Sequence, residues 1–131
     1  MSLIIDPVRV FEVKPANASS GQVCTLLSAP MNVIVAANQQ VIAGVAGKKI
    51  RIMGAIFQGD TAVAGGYVNT LDGSGGAKLL NSIYSPINTQ APFLLPVIDS
   101  GYAETTTGNG LFVTGGAQVS VVTFFYIIYT A

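Results

Sequence analysis

Apolar residues in this chain fall in short runs broken by Gly, Pro, Asn and Ser, and few windows are long enough for a helix. Strand-like runs lie at residues 3–5, 8–13, 22–28, 31–36, 39–43, 49–58, 62–69, 78–80, 93–97, 111–114 and 118–130. A helix survives only over residues 79–84. Many short strands with turn signals between them predict an all-β fold, a β-sandwich or barrel.

Two runs carry most of the information. In 49–58, alternation puts Ile50, Ile52, Gly54 and Ile56 on one face and Lys49, Arg51, Met53, Ala55 and Phe57 on the other. The first face is predicted as core. The second turns from charged to apolar, so the strand should leave solvent and pass under something near Phe57, which makes Arg51 and Phe57 candidate interface residues. From Val121 to Tyr129 neither face is polar, and no charge occurs after Glu104. Such a strand is an aggregation hazard at an open edge. It is therefore a covered central strand or an interface strand of an oligomer, with Phe125, Ile127 and Tyr129 as candidate interface residues.

A small polar stretch, Pro15 to Gly21, divides the chain. Residues 1–20 read as an N-terminal arm and linker, and 21–131 as one β-sandwich domain. The arm holds Leu3, Ile4, Ile5, Val8, Val10, Phe11 and Val13, too short to fold alone and too apolar to stay solvated. It is expected to dock on the body or a neighbour, gaining main-chain hydrogen bonds and burying Ile4, Val10 and Phe11.

Composition sharpens the oligomer reading. Of 131 residues only 9% are charged, against about 25% in ordinary domains. Six basic and six acidic side chains are a thin coat for a surface of roughly 6,500 Å². Part of that surface should meet protein rather than water. With no His, neither a Ser-His-Asp device nor an imidazole metal site can be built. Zero net charge argues against nucleic acid as a partner. The longest apolar run, residues 119–129, falls short of the ~20 residues of a membrane helix, so no membrane partner is expected. The N-terminus has no basic segment of a signal peptide, and the single Cys24 reads as a packed small hydrophobe in a reducing compartment.

Candidate chemistry is sparse. Gly44-Val-Ala-Gly-Lys-Lys49 misses the phosphate-loop pattern at Ile42 and Lys49, and Asp72 to Gly76 reads as a hairpin turn. Asp60, Asp72, Asp99 and Glu104 are scattered, with nothing to pair two of them for acid–base work. No catalytic residue, metal or cofactor is predicted, and the chain is not expected to be an enzyme. Lys48, Lys49 and Arg51 form the one basic cluster, either a solvated strand end or a contact for an acidic partner surface. Tyr67, Tyr84 and Tyr102 are either packing residues or a sugar-binding shelf.

Val45-Ala-Gly-Lys-Lys-Ile-Arg-Ile-Met-Gly-Ala55, then Leu79-Leu80, Leu94-Leu95-Pro96, Asp99-Ser-Gly-Tyr-Ala-Glu-Thr-Thr-Thr-Gly-Asn-Gly-Leu111 and a closing strand through Tyr126 and Tyr129 form an ordered set. This set resembles the small all-β virion proteins of tailed bacteriophages, which serve as head decoration (cement) proteins or tail and fibre modules. Tyr102 stands where that pattern prefers Trp and Asn109 where it has Glu, and residues 1–30 have no counterpart in it. The resemblance implies a viral structural protein with a jelly-roll-like sandwich, commonly a homotrimer, assembled in the host cytoplasm. Its partner would be the major capsid protein on the phage head surface. The alternative it implies is a tail or fibre module binding host glycans through residues 65–67, 72–76 and 105–109.

Overall fold

The computed structural model describes residues 9–14, 20–33, 38–59, 66–115 and 120–131. Eleven strands form among them and no helix. In chain order they are β1 (Val10–Val13), β2 (Gln22–Thr25), β3 (Leu27–Val33), β4 (Gln39–Ile42), β5 (Lys48–Gly59), β6 (Gly66–Asp72), β7 (Ile83–Ser85), β8 (Phe93–Leu95), β9 (Ala103–Glu104), β10 (Leu111–Gly115) and β11 (Ser120–Thr130). The expected run at 78–80 contributes a single bridge, Leu71 to Lys78. The helix option over 79–84 gives way to β7, because Ile83 packs on the core and Tyr84 pairs with Tyr67 of β6. The predicted run at 3–5 lies outside the described residues.

The pairing is nested. β6 pairs with β7, β5 with β8, β4 with β10 and β3 with β11, all antiparallel. One long double ribbon is thereby rolled into two sheets, ordered β4-β10-β6-β7 and β3-β11-β5-β8, with β9 also on β5. That is jelly-roll connectivity, as expected. Between the sheets lie Val33, Ile42, Ile50, Ile52, Ala55, Phe57, Val68, Leu111, Val113, Val122 and Phe124. The Phe57 and Phe124 rings meet edge to face at 6.1 Å and expose nothing. Burying each contributes about 1.5–3 kcal/mol.

A bulge in β5 corrects the expected facing of that strand. Phe125 sits opposite Gly54, whereas Tyr126 sits opposite Ile52, so Met53 is an extra residue. One inserted residue reverses the alternation. Ile50 and Ile52 face the core, but beyond Met53 the inward residues are Ala55 and Phe57, and Ile56 turns out. Gly54 is required here. A Cβ on it would come within 2.9 Å of the Leu95 carbonyl oxygen and of a Val97 methyl. β11 has no insertion, and its even residues face the core throughout.

A third, two-stranded sheet, β1-β2, lies on the outer face of the second. Phe11, Val13 and Cys24 close over Met53, Ile127 and Tyr129, with Leu26 and Val97 packed alongside. The Gln22 amide donates to the Thr130 carbonyl at 2.7 Å and accepts from its N–H at 2.8 Å. Residues 10–13 of the expected arm thus dock on their own chain, pairing with β2 and burying Phe11, while Val10 stays exposed. Ile4 lies outside the described residues.

Candidate interaction surface

The outer face of the second sheet has two halves. Over one half lie β1 and β2. Register defines the other. Asn32, Val121 and Gln58 form one row, Pro30, Thr123, Ile56 and Leu94 a second, and Ser28, Phe125 and Gly54 a third. None of these residues is charged. Leu94 is 55% exposed, Pro30, Ser28 and Asn32 are exposed, and Val121, Thr123, Phe125 and Ile56 are half-buried. Pro30 interrupts the donor pattern of edge strand β3, a device that blocks edge-to-edge sheet growth. Gln58 donates to the carbonyls of Ile87 and Gln90 at 2.7 and 3.2 Å, fixing the loop at that corner.

The covered half ends in a charged cluster. Arg51 donates through Nε and Nη2 to Glu104 Oε2 at 3.2 and 3.0 Å, and Lys49 Nζ to Oε1 at 3.2 Å. The Tyr129 hydroxyl also donates to Glu104 Oε2, and the Arg51 guanidinium stands 5.0 Å from the Tyr129 ring centroid. Burial pushes the Glu104 carboxyl up, but the hydrogen bonds from Tyr129, Arg51 and Lys49 outweigh it and hold the group below its usual range. Burial, together with the Glu104 carboxylate, raises the Tyr129 hydroxyl. A carboxylate with this many donors is a structural anion rather than an acid–base group. The Arg51 guanidinium, a candidate for an acidic partner, already has its partner in its own chain.

Asp72 has a similar role close by, near enough to Lys49 to feel its charge. It accepts from the Thr106 N–H at 2.8 Å, the Thr106 hydroxyl at 2.5 Å and the Asn109 amide at 3.1 Å. Burial raises its carboxyl, yet these donors keep it below its ordinary value. The segment 105–110 is thereby tied to the end of β6. Cys24 is buried, and burial pushes its thiol up, away from reactivity.

Of the interface candidates named from sequence, Phe57 lies in the main core and Phe11, Ile127 and Tyr129 in the second cluster. These four are spent inside the fold, which corrects their placement. The bulge turned Phe57 inward, and β1-β2 covered the others. Val10 stays 53% exposed on the far side of β1, and Phe125 stays on the bare half. Sequence reasoning missed Pro30, Ile56, Thr123 and Leu94. Only Pro30, within an apolar run, carried a signal, that of an edge strand.

No protein-family model matches the chain, and no curated protein does. Similar solved structures include one described by the words "Bacillus endospore appendages form a novel family of disulfide-linked pili". It is 12% identical, the match covers 99% of this chain and 96% of that one, and the TM-score is 0.45. A likeness of this size carries no inference about function.

Proposed function

We propose that the chain is a structural subunit that acts by burying the bare half of its outer sheet face against another protein. One observation carries this reading: three cross-strand rows without a charge, continuous with a half that the chain itself covers. Interface centres are depleted of charge in the same way. Within this reading it is a phage head decoration protein, a homo-oligomer (a trimer on the resemblance) seated on the major capsid protein. The resemblance along residues 45–129 supports that finer step, and jelly rolls are a common architecture of viral capsid proteins. Fold alone does not assign function. The mechanism is mass action. A subunit that binds only the assembled shell stabilises it by about 2.7 kcal/mol per site when free subunit is 100-fold above Kd.

The test is Phe125→Asp, which places a charge in the middle of the bare half. Native mass spectrometry of the protein and co-sedimentation with undecorated heads should show a folded chain that neither self-associates nor binds. Normal assembly and binding by that variant would overturn the reading. Copy number per particle separates it from a tail or fibre module, hundreds for decoration against a handful for a tail.

A further inference from the structure

Along the β8 edge of the bare half the molecule has a cavity that the assembly reading does not use. Between β7, the edge of the first sheet, and β8, the edge of the second, opens a space of about 430 Å³. Tyr67, Tyr84, Phe93, Pro86 and Pro92 line it, with Ser82 at its rim. That volume is within the range of small-ligand sites.

Its aromatic residues are placed for contact with a ligand. Tyr67 and Tyr84 are cross-strand partners whose rings lie 5.4 Å apart at 66°, forming a corner with one ring as floor and the other as wall. They are 58% and 46% exposed, and Phe93 is 45% exposed while its ring leans on buried Phe57. Neither the Tyr67 nor the Tyr84 hydroxyl makes a hydrogen bond among the described residues. By contrast, Tyr102 and Tyr129 give their hydroxyls to Pro96 and Glu104.

The rim is polar and ordered. Ser82 Oγ donates to Asn69 Oδ1 at 2.5 Å and accepts from Lys78 Nζ at 2.9 Å. Lys78 keeps two further N–H donors for a ligand. Flat apolar rings, unused phenol hydroxyls and an ammonium at one rim form a two-sided environment. It matches a molecule with an apolar C–H face and an edge of hydroxyls. A pyranose is such a molecule: its axial C–H groups lie against the electron-rich face of an aromatic ring, and its equatorial hydroxyls reach outward. Among the described residues no charged side chain lines the cavity, Lys78 standing behind Ser82, so an uncharged ligand fits it without a counter-charge.

We propose that this cavity binds a neutral oligosaccharide, one pyranose stacked on the Tyr67–Tyr84 corner and its hydroxyls meeting the tyrosine hydroxyls and Lys78. The assignment stands independently of the bare sheet face.

The full-length chain should be screened on an array of neutral hexose and N-acetylhexosamine oligosaccharides, and soluble hits followed by saturation-transfer NMR. Expected are hits whose affinity falls at least tenfold in Tyr67→Ala and in Tyr84→Ala. Tyr84→Phe, which keeps the ring, should retain most of the binding, and Val23→Ala, exposed on β2 and away from the cavity, should retain all of it. Thermal melting of each variant checks that the fold persists, and Tyr84→Phe keeps the test valid if an alanine variant melts early. An array without hits would overturn the proposal. So would hits indifferent to both tyrosines, or a deca-proline peptide that binds the same tyrosines while the sugars do not.

Discussion

The two halves of the outer sheet face are built from the same two strands, β5 and β11, and end differently. At one end Met53, Ile127 and Tyr129 lie under Phe11, Val13 and Cys24, and Lys49, Arg51 and Glu104 close the margin with ion pairs. At the other, Ile56, Thr123, Phe125 and Leu94 lie in register with no strand of the described chain over them and no charge among them. Residue chemistry alone does not separate the halves: Phe125 and Ile127 are neighbours on one face of one strand. The covering element makes the difference. Among the described residues one ribbon, β1-β2, stands outside the two main sheets, and it covers half the face.

Removing the cover is the strongest way to break the comparison. Deleting residues 1–14 exposes the second cluster and discards Phe11 and Val13, each worth about 1.5–3 kcal/mol when buried. The truncated chain should lose about 3–6 kcal/mol in urea unfolding. Unchanged stability would mean that the ribbon adds nothing to its own domain and that residues 1–14 are a separable arm.

A matched pair of substitutions comes next. Ile127→Asp puts an unpaired carboxylate under the ribbon and should cost about 3–5 kcal/mol, enough to leave much of the chain unfolded. Phe125→Asp, two residues earlier on the same face, should move stability by about 1 kcal/mol or less while abolishing association. Circular dichroism melts and sedimentation velocity read the two effects separately. Equal destabilisation by both would show that the bare half is as enclosed as the covered one.

The charged margin offers the smallest effect, through pH. The folded carboxyl of Glu104 lies below its unfolded value near 4.5, so its contribution is fully present above that pH. It is lost as pH falls through the lowered folded value. Half-exposed ion pairs are screened by solvent, which keeps the contribution near or below about 1 kcal/mol. Glu104→Gln should therefore flatten the acid limb of stability between pH 5 and 3, while Asp72, held down by its own donors, keeps part of the slope. A wild-type acid limb matching that of Glu104→Gln would show that the cluster is energetically silent.

Much of the molecule was legible before its structure. Runs bounded by Gly and Pro located strands β1 to β6, β8, β10 and β11 to within a few residues, since β-branched and aromatic stretches have few other conformations open to them. The double-sided apolarity of 121–129 left β11 as either a covered central strand or an interface strand, and in the fold it is central, paired on both edges. β7 and β9 were missed. Each has two or three residues and exists only because a long partner strand runs beside it.

The amino-acid order by itself determined an all-β chain, a charge-poor surface, a thiol without a partner, and the absence of imidazole chemistry. These follow from local propensity and from simple counting, and need no knowledge of what lies next to what. Tertiary structure decided which face of β5 is core, because the insertion at Met53 shows itself only when Phe125 and Tyr126 of a strand seventy residues later are set against it. It decided that Arg51 answers Glu104 and Tyr129, groups brought together from β5, β9 and β11. It also decided which apolar residues are covered and which are left. Burial belongs to pairs of surfaces, and a sequence lists one surface at a time.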